Sequence, residues 1–249
     1  MNLRASSRIN LHKILAAACV SGITLTGCNG NKSESSSPAP STPTKAVTPT
    51  PNYSLEQIKA NLIPPSAIAE RMREIRVVLE GLKDKKVPSC SLSGVKLPND
   101  PDIITRQFTR QAQPRDEIRY AQIIARYNSP QDAESAFQKI HKKANSCPPK
   151  RHFPPKRIDQ KTYSFAHDDT WKVEEGEISG WRHLRGYERQ VVPPSQTRYN
   201  VFYVMYDYAV RGNVVLGTLY MERTEPGESG KPIAKRATNI LAKQLQKFG

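Results

Sequence analysis

Tyr199-Asn200-Val201-Phe202-Tyr203-Val204-Met205-Tyr206-Asp207-Tyr208-Ala209-Val210, then Arg211-Gly212-Asn213, then Val214-Val215-Leu216-Gly217-Thr218-Leu219-Tyr220-Met221 is the stretch on which the fold turns. Both arms are dense in aromatic and β-branched residues, which suit a pleated surface. The short Gly-containing segment between them supplies the backbone freedom of a reversal. The reading is a β-hairpin, with side chains alternating between two faces of a sheet.

Working outward, the polar loop Thr224 to Gly230 ends the second arm. A helix is predicted from about Pro232, with Ile233, Ala237, Ile240, Leu241 and Leu245 turned toward the sheet. Upstream, the segments around Trp171 to Glu177 and Trp181 to Val192 alternate loosely and pair across Ser179-Gly180. Ile118 to Tyr127 reads as a strand that runs through Asn128-Ser129-Pro130 into a helix whose apolar face is Ala133, Phe137 and Ile140. Pro148-Pro149, after Cys147, forbids its continuation.

Nearer the start, Ser54 and Gln57 form a capping-box pattern, with Leu55, Ile58 and Leu62 on one helical face until Pro64-Pro65. Ser66 can cap a second helical stretch carrying Ile68, Met72 and Ile75, or Val77-Val78-Leu79 can begin a strand; the pattern allows both. Strands in hairpin order with helices before and after them predict an α+β domain, an antiparallel β-sheet flanked by helices.

Three regions are expected: a signal peptide over 1–27, a lipidated cysteine with a Ser/Thr/Pro-rich disordered linker over 28–52, and a single α+β domain over 53–249. The leader carries Arg4, Arg8 and Lys13 without an acid, followed by an apolar run, Ile14 to Leu25, too short to span a bilayer. It ends in Leu25-Thr26-Gly27-Cys28, which resembles a bacterial lipobox. That resemblance implies cleavage between Gly27 and Cys28, a diacylglyceryl group on the Cys28 sulfur, and a cell-membrane location on the extracytoplasmic face. The tract from Asn29 to Asn52 is almost devoid of apolar side chains, and in an extended polyproline form it reaches roughly 75 Å.

The net charge is +15, and removing the three cations of the leader leaves +12. In an exported protein such an excess meets anionic lipid head groups and wall polymers rather than nucleic acid, so no nucleic-acid partner is expected. The cations are spread over Lys83-Asp84-Lys85-Lys86, Lys142-Lys143, Lys150-Arg151 and Lys156-Arg157, a pattern shared by a solubilising surface and a polyanion site.

Cys19 leaves with the leader and Cys28 takes the lipid, leaving Cys90 and Cys147 in the domain. A metal pair and a redox pair are alternatives to a structural bridge. No Cys-x-x-Cys is present and no histidine lies at a metal-ligand interval from both, so a disulfide is expected, with no metal and no cofactor.

His141, His152, His167 and His183 are the histidines beyond the leader. His167-Asp168-Asp169 places adjacent side chains on opposite sides of a strand, which suits a polar turn better than a metal site. No Gly-x-Ser-x-Gly elbow, Gly-rich phosphate loop or His-Glu-x-x-His helix occurs. Glu175 and Glu177 share a strand face where a carboxylate pair can form, as an exposed edge also allows. No enzyme activity is expected; a hydrolase would depend on His167 or Glu175. The aromatic residues Tyr199, Phe202, Tyr203, Tyr206 and Tyr208, joined by Trp171 and Trp181, are either core or the lining of a cleft. One sheet face is expected to be core and the other free, and Trp171, Trp181 and Tyr203 are the candidate ligand-binding residues.

Tyr127-Asn128-Ser129-Pro130-Gln131-Asp132-Ala133, the helix ending in Cys147, and Val210-Arg211-Gly212-Asn213-Val214-Val215 with its closing helix resemble the PknH-like extracellular sensor domain of actinobacterial receptor kinases and envelope lipoproteins. The resemblance implies an antiparallel sheet flanked by helices, a cleft for an extracellular ligand, and no catalytic residue. Members generally carry two disulfides, whereas this chain has thiols for one. The function expected is that of a membrane-anchored envelope lipoprotein with a sensor-like domain for an unknown ligand or partner. The alternative is an interaction protein that binds anionic envelope polymers or lipids by charge.

Overall fold

In the computed structural model the described residues are 50–110, 117–157, 163–195 and 198–249, all within the unit Val47–Gly249. Cys28, Gly27 and the predicted leader lie outside them. The hairpin read from the sequence is the centre of the molecule. Strands β11 (Val201–Arg211) and β12 (Val214–Thr224) pair antiparallel with Tyr206 opposite Leu219. Gly212 sits at φ 57°, and a Cβ there would come within 1.9 Å of the Pro51 carbonyl oxygen, so both the turn and the passing chain require glycine.

An eight-stranded antiparallel sheet is built outward from this pair. One wing is β5 (Ile118–Arg126), β4 (Asp102–Arg110) and β1 (Arg73–Ile75); the other is β10 (Trp181–Val191), β9 (His167–Ile178) and the edge strand β6 (Lys150–Phe153). Two small hairpins stand apart from it, β2 (Lys86–Ser89) with β3 (Ser93–Lys96), and β7 (Lys156–Arg157) with β8 (Tyr163–Ser164).

Helices cover both faces. On one, α4 (Pro130–Asn145) lays Ala133, Phe137 and Ile140 against Val204, Tyr206 and Tyr208, and the β2–β3 hairpin extends the cover. On the other, α5 (Lys231–Gln246) packs on Tyr203, Met205, Ala209 and Leu216 beside α1 (Leu55–Ala60) and the four-residue α2 (Pro65–Ile68). Alternate residues of β11 are therefore buried on opposite sides; of the aromatic stripe, Trp171, Trp181, Tyr203, Tyr206 and Tyr208 are core, while Tyr199 and Phe202 are half-buried. The expectation that one face stays free is corrected: two amphipathic helices on opposite faces leave no open central strand. A fifth helix, α3 (Glu80–Lys83), buries Leu82 beside β2. With apolar layers closed on both sides of the sheet, the unit has the core of an autonomous domain.

The disulfide joins Cys90 to Cys147 as expected, with Cα atoms 6.3 Å apart. It ties the loop after β2 to the end of α4. The ambiguous stretch near residue 70 departs from both alternatives: a four-residue helix contains Ser66 rather than being capped by it, and the strand precedes Val77 rather than beginning there. The helix stops at Ile68, Arg71 takes φ 58°, and the strand is Arg73–Ile75, with Arg73 opposite Thr109 of β4. Val77-Val78-Leu79 forms no strand, because the Gln107 side chain accepts the backbone N–H groups of Val78 and Leu79 at 2.8 and 3.0 Å in place of a ladder partner.

Both described chain ends meet at one end of the sheet. Asn213 accepts from the Tyr53 N–H at 2.7 Å and donates to the carbonyls of Tyr53 and Tyr127. Tyr53 in turn stacks on Trp181 and meets Phe248 edge-on, each pair of ring centroids 5.9 Å apart. The chain thus enters the domain at the Gly212 turn. Ile118, Val191, Val201 and Thr224 mark the opposite end, about 36 Å away for eleven-residue strands.

Candidate functional site

The terminal helix creates the site. Its apolar stripe of Ile233, Ala237 and Ile240 rests on the sheet, and the next side chains around it, Arg236, Asn239 and Lys243, overhang the groove between α5 and the ends of α2, β4 and β5. Ile68, Ala69, Ile118, Tyr220 and Ile240 line this cavity of about 460 Å³ with apolar surface, and Arg110, Arg236 and Lys243 surround them with cations against the single acid Glu222. The groove lies toward the end of the sheet away from the entering chain.

Arg236 and Glu222 divide the groove from a second cavity of about 380 Å³, lined by Arg223, Thr224, Glu228, Ser229, Pro232 and Ile233. The guanidinium donates twice to the carboxylate, at 2.7 and 2.6 Å, and the Tyr220 hydroxyl also donates to Glu222. The hydrogen bonds to Glu222 raise the Arg236 pKa, while burial, then the Glu222 charge, push the Tyr220 hydroxyl up. Both groups therefore keep their protons at any physiological pH. Beside them Arg119 and Arg223 share Glu117 at 2.6 and 3.0 Å.

A larger cavity of about 600 Å³ lies where residue 50 leads into the domain. Its two arginines are engaged, Arg182 on Glu134 at 2.5 Å and Arg211 on the Gly249 carbonyl, Glu177 adds a second acid, and Val210 and Pro130 are its main apolar lining. With two acids, Glu134 and Glu177, against two arginines that are already engaged, it has less to offer an anionic ligand than the α5 groove, where three cations face one acid.

Trp171, Trp181 and Tyr203, the residues singled out from the sequence, are all buried and belong to three different packing clusters. Trp171 packs on Tyr206 and donates its indole N–H to the Ala144 carbonyl at 2.9 Å. Trp181 lies between Tyr53 and Phe248, and Tyr203 packs on Tyr187 and donates to the Glu228 carbonyl at 2.9 Å. None of the three lines the cavities described above. The groove residues themselves come from α2, β4, β5, β12 and α5, so no local motif marks them. The available signal was the cationic second row of α5, Arg236 and Lys243, beside its apolar stripe.

Of the residues on which a hydrolase would depend, His167 donates its Nδ1–H to the Phe165 carbonyl (2.9 Å) and Glu175 pairs with His141 at 2.7 Å on the surface. They do not converge. The carboxyl pair is elsewhere. Glu188 of β10 and Asp169 of β9 are both buried beneath the loop Cys90–Leu92, where Ser91 donates its N–H to Glu188 at 2.8 Å and its hydroxyl to Asp169 at 3.0 Å. Burial, opposed by the Ser91 N–H and reinforced by the charge of Asp169, pushes Glu188 up to about 7. Neither carboxyl lines any of the three cavities, so the pair is placed to hold the loop. On the other face, burial works to raise Asp207, but hydrogen bonds from His183 at 2.8 Å and from Arg185 at 2.6 and 3.0 Å outweigh it and hold the carboxyl below its ordinary value.

Among the described residues, no group of three or more His, Cys, Asp or Glu side chains is arranged to hold a metal ion, and no helix is long and apolar enough to cross a membrane. No protein-family model matches the chain, and no curated protein matches its sequence. Among solved structures, the chain is similar to the crystal structure of the extracellular domain of PknH from Mycobacterium tuberculosis, with a TM-score of 0.49 and 10% identity, covering 80% of this chain and 98% of that one.

Proposed function

We propose that this protein is a membrane-anchored envelope lipoprotein whose α+β domain is a non-enzymatic, extracytoplasmic ligand-binding module, and that the α5 groove takes an anionic amphiphile. The observation that carries the reading is the composition of the groove: an apolar floor of Ile68, Ile118 and Ile240 under the cations Arg110, Arg236 and Lys243. An acyl or other apolar tail fits the floor, and an acidic head meets the rim. The Arg236–Glu222 pair sets selectivity, because a neutral head leaves it undisturbed while an anion competes for the guanidinium. The Cys90–Cys147 bridge supports an oxidising compartment, and the Gly27-Cys28 junction supports the lipid anchor.

The test is a thermal-shift series on residues 47–249 with alkyl phosphates, fatty acids and alkyl glucosides, each at low and high salt. A shift that saturates with the anionic amphiphiles and survives salt supports the groove, since binding to the native state alone raises the melting temperature by mass action. Shifts confined to low salt, or equal for the anionic amphiphiles and the alkyl glucosides, would overturn it.

A further inference from the structure

The edge of the sheet farthest from β1 carries a short sequence repeat: Pro148-Pro149-Lys150-Arg151, then His152-Phe153, then Pro154-Pro155-Lys156-Arg157. Both Lys-Arg pairs are exposed, the first in edge strand β6 and the second in β7. The flanking prolines lack backbone N–H groups and discourage another strand from adding there. The edge therefore displays side chains while resisting strand addition. From Pro148 to Arg157 there is no acid.

Apolar surface gathers at the same corner. Tyr163 of β8 is 53% exposed and Phe165, two residues on, is 44% exposed, their rings 6.2 Å apart. Leu92, 51% exposed, belongs to the loop that Ser91 fastens to Asp169, and Asp169 lies opposite Arg151 in the register. Three of the four large apolar side chains exposed among the described residues thus lie around the start of β9. Among the described residues, the acids at this corner are engaged within the fold: Asp168 pairs with His152 at 2.8 Å, and Asp169 is buried.

We infer that this corner is a docking surface for an anionic phospholipid bilayer, with Lys150, Arg151, Lys156 and Arg157 meeting the head groups and Tyr163 and Phe165 entering the interface. The cations alone would suit any polyanion. The exposed aromatic pair favours a bilayer, because amphipathic and aromatic rings gain from the head-group region in a way that a hydrated polymer does not reproduce. This surface is separate from the α5 groove and independent of its occupant.

Co-sedimentation of residues 47–249 with phosphatidylcholine vesicles, with and without phosphatidylglycerol, tests it, alongside binding to soluble polyphosphate. Binding is expected only to the phosphatidylglycerol vesicles. It should weaken roughly tenfold or more when the four cations are replaced by serine. Tyr163→Ser with Phe165→Ser should weaken vesicle binding several-fold and leave polyphosphate binding unchanged; all these positions are exposed, and melting temperatures verify that the variants fold. Equal binding to both vesicle types, or an aromatic variant that binds vesicles like the wild type, would overturn the inference; the latter would leave a surface for soluble polyanions alone.

Discussion

Glu188 and Asp169 sit side by side beneath one loop, joined through Ser91, which donates its backbone N–H to the first and its hydroxyl to the second. Asp169 Oδ1 is buried without a hydrogen-bond donor, and Glu188 lies within hydrogen-bonding reach of the Asp169 carboxyl, so a protonated Glu188 can donate to it. Burial and the neighbouring Asp169 charge both favour the protonated form of Glu188 and push its pKa up to about 7. Ser91 and Leu92 hold φ values of 51° and 56°, an unfavourable left-handed conformation for two successive side chains, and the carboxyl pair helps to hold them there.

The pH dependence follows from linkage. Between about pH 4.5, the ordinary value, and about 7, the folded protein keeps a proton on Glu188 that the unfolded chain has released. The contribution of Glu188 to stability therefore falls as pH rises through that window and levels off above it. Glu188→Gln supplies the donor permanently. It is expected to be more stable than the wild type by about 3 kcal/mol at pH 8 and to converge with it near pH 4. Urea unfolding at a series of pH values checks this, and parallel curves for the two proteins would refute it.

Reducing the Cys90–Cys147 bridge releases a loop of 57 residues in sequence separation. The chain-entropy model puts the loss at about 4 kcal/mol. Denaturant midpoints of the Cys90→Ala, Cys147→Ala double variant measure it.

Asp207 lies fully buried against Arg185 and His183. Asp207→Asn leaves the Arg185 charge without its counter-ion beneath α5, where Arg185 also donates to the Ala234 carbonyl at 3.2 Å. A loss of about 3–5 kcal/mol is expected in equilibrium unfolding.

Gly186 faces the Trp171 ring so closely that a Cβ would come within 2.0 Å of Cη2. Gly186→Ala must displace the indole, at a cost of about 1–3 kcal/mol. A changed tryptophan emission spectrum should accompany the lower melting temperature; an unchanged spectrum would mean that the backbone moved instead.

The two long hairpins, β9–β10 and β11–β12, and the long helices were legible because their signals are local. The β11–β12 turn has its glycine, the 118–126 strand leads directly into a helix capped by Ser129 and opened by Pro130, and α5 carries an uninterrupted apolar stripe. Strand β4 was missed because Asp102 to Arg110 alternates between apolar and polar residues only weakly, and pairing with β5 decides its conformation. The β2–β3 hairpin was missed because Pro88 and the Cys90 bridge interrupt its pattern. The candidate site was less accessible still. Its floor joins residues from 68 to 240, and only the packing of α5 brings them together. The tyrosines and tryptophans that drew attention in the sequence are the ones the two helices bury.

The proposed lipid anchor at Cys28 has its own test. Cys28→Ala should move the protein from the membrane fraction to the soluble fraction or leave the leader uncleaved, with loss of the acylated N-terminal peptide by mass spectrometry; an unchanged acylated peptide would exclude Cys28 as the attachment site.

The most direct test of the ligand-binding account is calorimetric titration of an alkyl phosphate, below its micelle concentration, into residues 47–249 and into Asn239→Trp, which fills the groove while keeping Arg110, Arg236 and Lys243. The account predicts saturable one-site binding that persists at high salt and is lost in the filled variant. Equal binding by both proteins, or no saturable binding by either, would contradict it.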